Sequence, residues 1–218
     1  MDTNALDLTA PEVPEAIRQG NPNRLDFYRM AEGTDLIMRV YYTGMNRGHS
    51  IRGRWVGRVE YTTDIKYVTL IGPMDFIIPR DEVIDSIGMS VNVNYSVVEN
   101  PDNPHSPLLP SKALVLAVEP HGLNLLAPTI TSDYRTVRVN YDSQSNDTVA
   151  VRWKGRFEHF TEIKNPPVGG GIISFTIPSA WITENRGTKV LINYSVGRGD
   201  AGLKFSQLLR SEIPSSSE

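Results

Sequence analysis

Alternating apolar and polar positions run through most of the chain, and they run through it twice. Met38, Val40 and Tyr42 alternate with Arg39 and Tyr41, which predicts a half-buried strand. Ninety-nine positions beyond Arg39 stands Arg138, with Val137, Val139 and Tyr141 alternating around it in the same way. Turn residues follow both strands, Thr43 to Gly48 and Asp142 to Asp147. The next strands also match, with Ile51, Gly53 and Trp55 pointing in beside Arg52 and Arg54, and Val149, Val151 and Trp153 beside Ala150 and Arg152. Polar stretches, 61 to 72 and 159 to 171, then lead to Met74-Phe76-Ile78 and Ile173-Phe175-Ile177, and each of these strands stops at a proline. Pro79 to Gly88 and Pro178 to Gly187 carry proline at the start and glycine past the end, the punctuation of a short helical turn crossing between sheets. Val91, Val93, Tyr95 and Val97 alternate after the first turn, and Val190, Ile192, Tyr194 and Val196 after the second.

A repeat of this length is too long for a solenoid unit and fits an independently folding domain. The pattern predicts domain one over residues 8–119 and domain two over 120–213, with flexible ends at 1–7 and 214–218. Glu119 to Leu125 reads as a short linker, and Pro11 to Pro14 and Ala127 to Ile130 as short edge segments heading each unit. Six or seven short strands per unit, separated by turn signals, predict an all-β chain of two tandem immunoglobulin-like Greek-key β-sandwich domains.

Composition narrows the function classes. The 22 basic residues face 25 acidic ones, a balance that argues against binding through nucleic-acid phosphates. With no cysteine there is no disulfide, no thiolate nucleophile and no cysteine-based metal site. The first residues lack the basic and apolar regions of a cleaved signal peptide, and no stretch is long enough to span a bilayer. The expectation is a cytoplasmic chain, or an extracellular or cell-surface one exported without a cleaved signal.

Several short matches recur in both units: Ala-Pro at 10–11 and 127–128, Trp-x-Gly at Trp55/Gly57 and Trp153/Gly155, Phe76/Pro79 and Phe175/Pro178, and Asn-Tyr-Ser-Val at 94–97 and 193–196. This order resembles the immunoglobulin-like repeats found in tandem in Gram-negative bacterial surface, adhesin-type and secreted proteins. The resemblance covers about residues 8 to 213 and implies fold more than function, since such repeats serve as spacers, adhesive modules or scaffolds without a shared active site.

Alternation puts Trp55 and Trp153 in the cores, whereas Trp181 has only Glu82 as its counterpart and is the candidate for an exposed contact. Arg54 and Arg152 recur on outward positions, where they form either a basic stripe or cross-strand pairs with acids such as Glu60 and Glu158. Arg198-Gly199-Asp200 lies in the last hairpin of unit two, where an adhesive tripeptide and ordinary turn chemistry both fit. Asp142, Asn146 and Asp147 could lend oxygens to a calcium ion, but a turn explains them better. The four histidines share no recurring spacing with a serine or carboxylate, so no catalytic residue, metal site or cofactor is assigned. The sequence therefore predicts a non-enzymatic binding or adhesion module for a glycan or protein partner. The alternatives are a structural subunit of a homo-oligomeric assembly and a secreted effector or toxin component.

Overall fold

The computed structural model describes residues 6–17, 22–31, 33–199 and 202–215. The chain divides into two compact units, Met1–Pro120 and His121–Glu218. Unit 1 holds β1 (Asn23–Leu25), a 3-10 turn (Phe27–Arg29), β2 (Leu36–Val40), β3 (Ser50–Val56), β4 (Glu60–Thr62), β5 (Lys66–Tyr67) and β6 (Met74–Ile78). It continues with α1 (Arg80–Ile84), β7 (Ser90–Val98), β8 (Leu109–Pro110) and β9 (Leu114–Val118). Unit 2 holds β10 (Thr129–Ile130), β11 (Thr136–Asn140), β12 (Thr148–Lys154), β13 (Glu158–Phe160) and β14 (Ile172–Thr176). After α2 (Ser179–Glu184) come β15 (Thr188–Gly197), β16 (Leu203–Phe205) and β17 (Leu209–Ile213). Among the described residues the chain is all-β apart from two α-helices of about a turn each and the 3-10 turn, and no helix among them is long and apolar enough to cross a membrane.

Each unit is a sandwich of a larger and a smaller sheet. In unit 1 the large sheet runs β1-β9-β7-β3-β4, with β5 on β3 and β8 on β7, and the small sheet is β2-β6. In unit 2 the large sheet runs β13-β12-β15-β16, with β17 also on β15, and the small sheet is β10-β11-β14. Alternation explains the core of unit 2. Val137, Val139, Ile173 and Phe175 of the small sheet meet Val149, Val151, Trp153, Val190, Ile192 and Tyr194 of the large one. Trp55 and Trp153 are wholly buried.

The stretches read as polar and variable contain strands whose alternation is broken by a bulge. Arg54 pairs with Thr62 but Ile51 with Lys66, so the second strand carries one extra residue. Thr63 repairs the gap: its hydroxyl accepts the Gly53 N–H at 2.9 Å, and its own N–H donates to the Gly53 carbonyl. Unit 2 does the same with Thr161 on Val151. On the opposite flank Ser111 accepts the Tyr95 N–H and donates its N–H to the Tyr95 carbonyl, and Ser206 serves Tyr194 identically. Gly53 faces Tyr95 across β3–β7, and Val151 faces Tyr194 across β12–β15, so both bulges flank a single rung in each unit. Just beyond the threonine bulge, Lys66 Nζ donates to the Asp75 carbonyl at 2.7 Å and Lys164 Nζ to the Ser174 carbonyl at 2.8 Å. Each lysine thereby ties the large sheet's edge to the edge strand of the small sheet, over the ring of Phe76 or Phe175.

The linker reading of Glu119 to Leu125 is corrected at its C-terminal half. Leu125 is buried in the unit 2 core with Leu123 packed against it, and His121 Nε2 lies 2.9 Å from the Phe205 carbonyl oxygen. Two leucines at alternate positions could not stay in water while an apolar core stood beside them.

The Trp-x-Gly motif has a steric cause at the end of each helix. A Cβ on Gly57 would stand 2.2 Å from Ser86 Oγ, and one on Gly155 would stand 1.9 Å from Asn185 Oδ1. Asn185 cannot retreat, because its Oδ1 accepts the Arg156 N–H while its Nδ2 donates to the Trp181 carbonyl and to Glu184. Gly155→Ala should therefore cost roughly 2–3 kcal/mol through overpacking and broken hydrogen bonds, read as a lower urea midpoint at unchanged m-value. A midpoint equal to that of the parent chain would contradict this account of the motif.

Candidate functional site

The residues singled out from sequence are distributed over unit surfaces and do not converge. Arg54 makes a two-pronged pair with Glu60, at 3.1 and 2.7 Å. Arg152 pairs with Glu158 at 2.5 Å and reaches Asn193. These are cross-strand ion pairs on the outer faces of the large sheets, and exposed pairs of this kind contribute little to stability. Trp181 sits in α2, half-buried, with its ring 4.6 Å from that of His159 at an interplanar angle of 9° and 6.5 Å from that of Trp153. His159 in turn holds Glu184 at 2.5 Å. One face of the Trp181 ring is thus already covered.

Arg198 is taken up by the protein itself. Its Nε and terminal nitrogen donate to the two oxygens of Asp147 at 2.9 and 2.7 Å, and the terminal nitrogen also reaches the Asp142 carbonyl. Asp147 has no side-chain exposure and further accepts the Gln144 N–H. This pair joins two loops and leaves neither Arg198 for a receptor nor Asp147 for a calcium ion. No group of three His, Cys, Asp or Glu residues suited to a metal occurs among the described residues. Gly199 is exposed with φ +55°, the left-handed backbone of a tight turn, and Asp200 lies outside the described residues.

A concave site does exist, and the sequence reading missed it. A groove of about 810 Å³ opens in unit 2 between the turn 132–135, α2 and the chain after β17. The turn is built by its own polar groups: Thr131 donates to Asp133, which also accepts the Arg135 N–H, and Thr131 Oγ1 accepts the Thr136 N–H. The Thr131 hydroxyl and the Arg135 N–H hold the Asp133 carboxyl below the usual range. They also hold Tyr134 at φ +60°, a left-handed backbone that costs a bulky residue on the order of 1–2 kcal/mol. Its ring packs partly against the core and partly lines the groove. Ser179, Ile182 and Thr183 of α2 form a second wall and Glu212 to Ser215 a third, with the exposed Arg135 and Arg186 at the rim.

Unit 1 fills the equivalent place with its own chain. Asp35, the counterpart of Tyr134, accepts the Arg80 N–H; Arg80, the counterpart of Ser179, lies 4.2 Å over the Phe27 ring and donates to the Ala31 carbonyl. Glu119, the counterpart of Pro214, donates its N–H to the Leu25 carbonyl and pairs with Arg24 at 2.7 Å. Two of the three walls therefore contact residues 24–31, part of an insertion that the second copy lacks, and the third is tied to them through Arg80. The signal available in the sequence was that length difference, which becomes meaningful only once β1 is seen beside β9.

Electrostatics separate the units as well. By sequence unit 1 has 16 acidic and 11 basic residues and unit 2 has 9 and 11, so arginines in unit 2 lose partners. Arg39 pairs with Asp75 at 2.7 Å, but opposite Arg138 stands Ser174. Arg58 pairs with the buried Asp85, but Glu184 turns to His159 and leaves Arg156 exposed.

Arg198→Ala should destabilise unit 2 by about 3–5 kcal/mol, because it leaves a buried carboxylate unpaired. Hydrogen bonds from Arg198 hold the Asp147 carboxyl below its ordinary value. Its stabilisation is complete above the unfolded-state pKa of about 3.9 and is lost as pH falls through the lower folded-state value. Urea midpoints measured from pH 5 to pH 3 should fall more steeply for the parent chain than for Asp147→Asn; parallel slopes would refute the assignment.

No family model matches the chain, and no curated protein matches it. Among solved structures it is similar to the BSP domain of a biofilm-associated protein, at 11% identity and TM-score 0.28 over 95% of this chain and 30% of that one. It is also similar to a 1.5-MDa bacterial ice-binding adhesin, at 13% identity and TM-score 0.31 over 97% of this chain and 64% of that one. A third likeness is to a candidate carbohydrate-binding protein of Bacteroides uniformis, at 8% identity and TM-score 0.30 over 84% of this chain and 94% of that one.

Proposed function

We propose that the chain is a non-enzymatic binding module of the adhesion type, built from two immunoglobulin-like Greek-key sandwiches, which holds a glycan or protein partner in the groove of unit 2. The observation that carries this reading is the contrast between copies: in unit 1 residues 24–31 lie against two of the three equivalent walls, and Arg80 links the third to them, whereas in unit 2 the walls enclose an open groove. The lining supports recognition, since it combines an aromatic ring, hydroxyls from Ser179 and Thr183, a carboxylate and exposed guanidinium groups, the mixture that orients a polar ligand on an apolar floor. A strained Tyr134 in its wall is a further pointer, because backbone strain gathers where a side chain must be aimed. The non-catalytic part of the reading is supported by prior engagement of the ionisable groups: His159 holds Glu184, His49 lies 2.9 Å from the Tyr42 hydroxyl, and Arg198 holds Asp147.

Thr183→Trp, which fills the groove from the exposed face of α2, tests the reading directly. The full chain and this variant are applied to a glycan array and to an array of extended peptides. Signals present for the parent and reduced by about tenfold or more for the variant are expected on one of the two arrays. Binding indifferent to the tryptophan, or no binding on either array, would remove the groove from consideration.

A further inference from the structure

The groove of unit 2 has an internal template, because unit 1 contains a segment seated against the same walls. There β1 lies parallel to β9, in the register Asn23↔Leu116, Arg24↔Ala117 and Leu25↔Val118. β17 takes the place of β9 in unit 2, since the Gly88 N–H donates to the Val118 carbonyl in one unit and the Gly187 N–H to the Ile213 carbonyl in the other. Yet β17 pairs with β15 alone, and its other edge meets no strand among the described residues. Because backbone groups alternate along an antiparallel strand and Ile213 is directed at β15, the N–H and carbonyl of Glu212 face away from it, toward the open side.

We infer that unit 2 binds an extended peptide of another protein, added in parallel to the free edge of β17, with an apolar side chain and, two residues later, an aromatic one seated in the groove. The inference rests on the reading of the groove as the binding site and names what occupies it. Leu25-Asp26-Phe27 is the pattern that occupies the template, with Leu25 0% and Phe27 1% exposed. That burial also excludes the same segment of a second copy as the occupant, since it is already used within its own unit. Arg186 makes no side-chain hydrogen bond or ion pair among the described residues and stands at the rim beside Arg135, so the partner carries an acidic residue near the aromatic one. Pro214 replaces Glu119 and has no N–H, which leaves the added strand one hydrogen bond short of its template and makes the docking reversible.

The probe is a fluorophore-labelled peptide with the sequence of residues 22 to 30, titrated into the full chain and followed by fluorescence anisotropy. Saturable binding is expected, weakened by about tenfold or more when the peptide carries Phe27→Ala or the protein carries Glu212→Pro. Proline at this position removes only an outward N–H and no bond to β15, and an unchanged thermal midpoint checks that the fold is kept; Thr183→Trp gives the same readout if it is not. Failure to saturate at millimolar peptide, or affinity indifferent to Phe27→Ala and Glu212→Pro, would overturn the inference. So would a dimer of the chain alone that Glu212→Pro dissolves, because the occupant would then be a second copy. If the peptide fails while Thr183→Trp still abolishes a glycan signal, this inference falls and the groove remains a binding site for sugar.

Discussion

Each unit depends on one rung of its large sheet, Gly53–Tyr95 in unit 1 and Val151–Tyr194 in unit 2, where an extra residue is inserted on either side. An extra residue leaves backbone donors without their ladder partners, and a hydroxyl in each case takes over: Thr63 and Ser111, Thr161 and Ser206. The two bulges add local twist, which lets a broad sheet close over a narrow one. They also set the direction in which Lys66 and Lys164 leave their strands to reach the edge of the opposite sheet. The core tryptophans, one rung pair away, are buried because this curvature brings the helix turn down over them.

On this shared scaffold the ends of the units have diverged in chemistry. Trp55 Nε1 donates to Ser86 Oγ at 3.1 Å, and the Ser86 hydroxyl donates in turn to the Glu82 carbonyl. Asn185 stands in that place in unit 2 and spends its oxygen on Arg156, leaving Trp153 Nε1 buried without a partner. The compensation is a packed trio of Trp153, Trp181 and His159, in which ring stacking replaces a hydrogen bond. The same exchange leaves Arg156 exposed in unit 2, whereas Arg58 is paired in unit 1.

The functional contrast follows from a difference in length, not of scaffold. Unit 1 spends residues 23–31 on a strand and a 3-10 turn, whose Phe27 ring lies under Arg80 of α1, and so completes its own edge. Unit 2 has a tight turn there, with Tyr134 in a strained conformation, and its last strand keeps an open side. An open edge beside a concave, partly apolar wall is the arrangement by which sheets accept further chain, and a proline near its end limits how much is accepted.

Period-two alternation by itself determined the long strands, the inward tryptophans and the proline-to-glycine helix turns, because those features follow from local geometry and burial on one face. It could not reveal β4, β5 and β13, since a bulge shifts the alternation by one residue and a hydroxyl that repairs a ladder looks like any other polar loop residue. Nor could it separate a basic stripe from ion pairs, because Arg54 and Glu60, or Arg198 and Asp147, meet only across strands and loops. Arg198-Gly199-Asp200 shows the same limit, since the arginine's partner lies 51 positions upstream. The groove was least legible of all. Its walls come from residues 132–135, 179–186 and 212–215, and its openness is a missing neighbour, which only the folded unit set beside its filled counterpart makes visible.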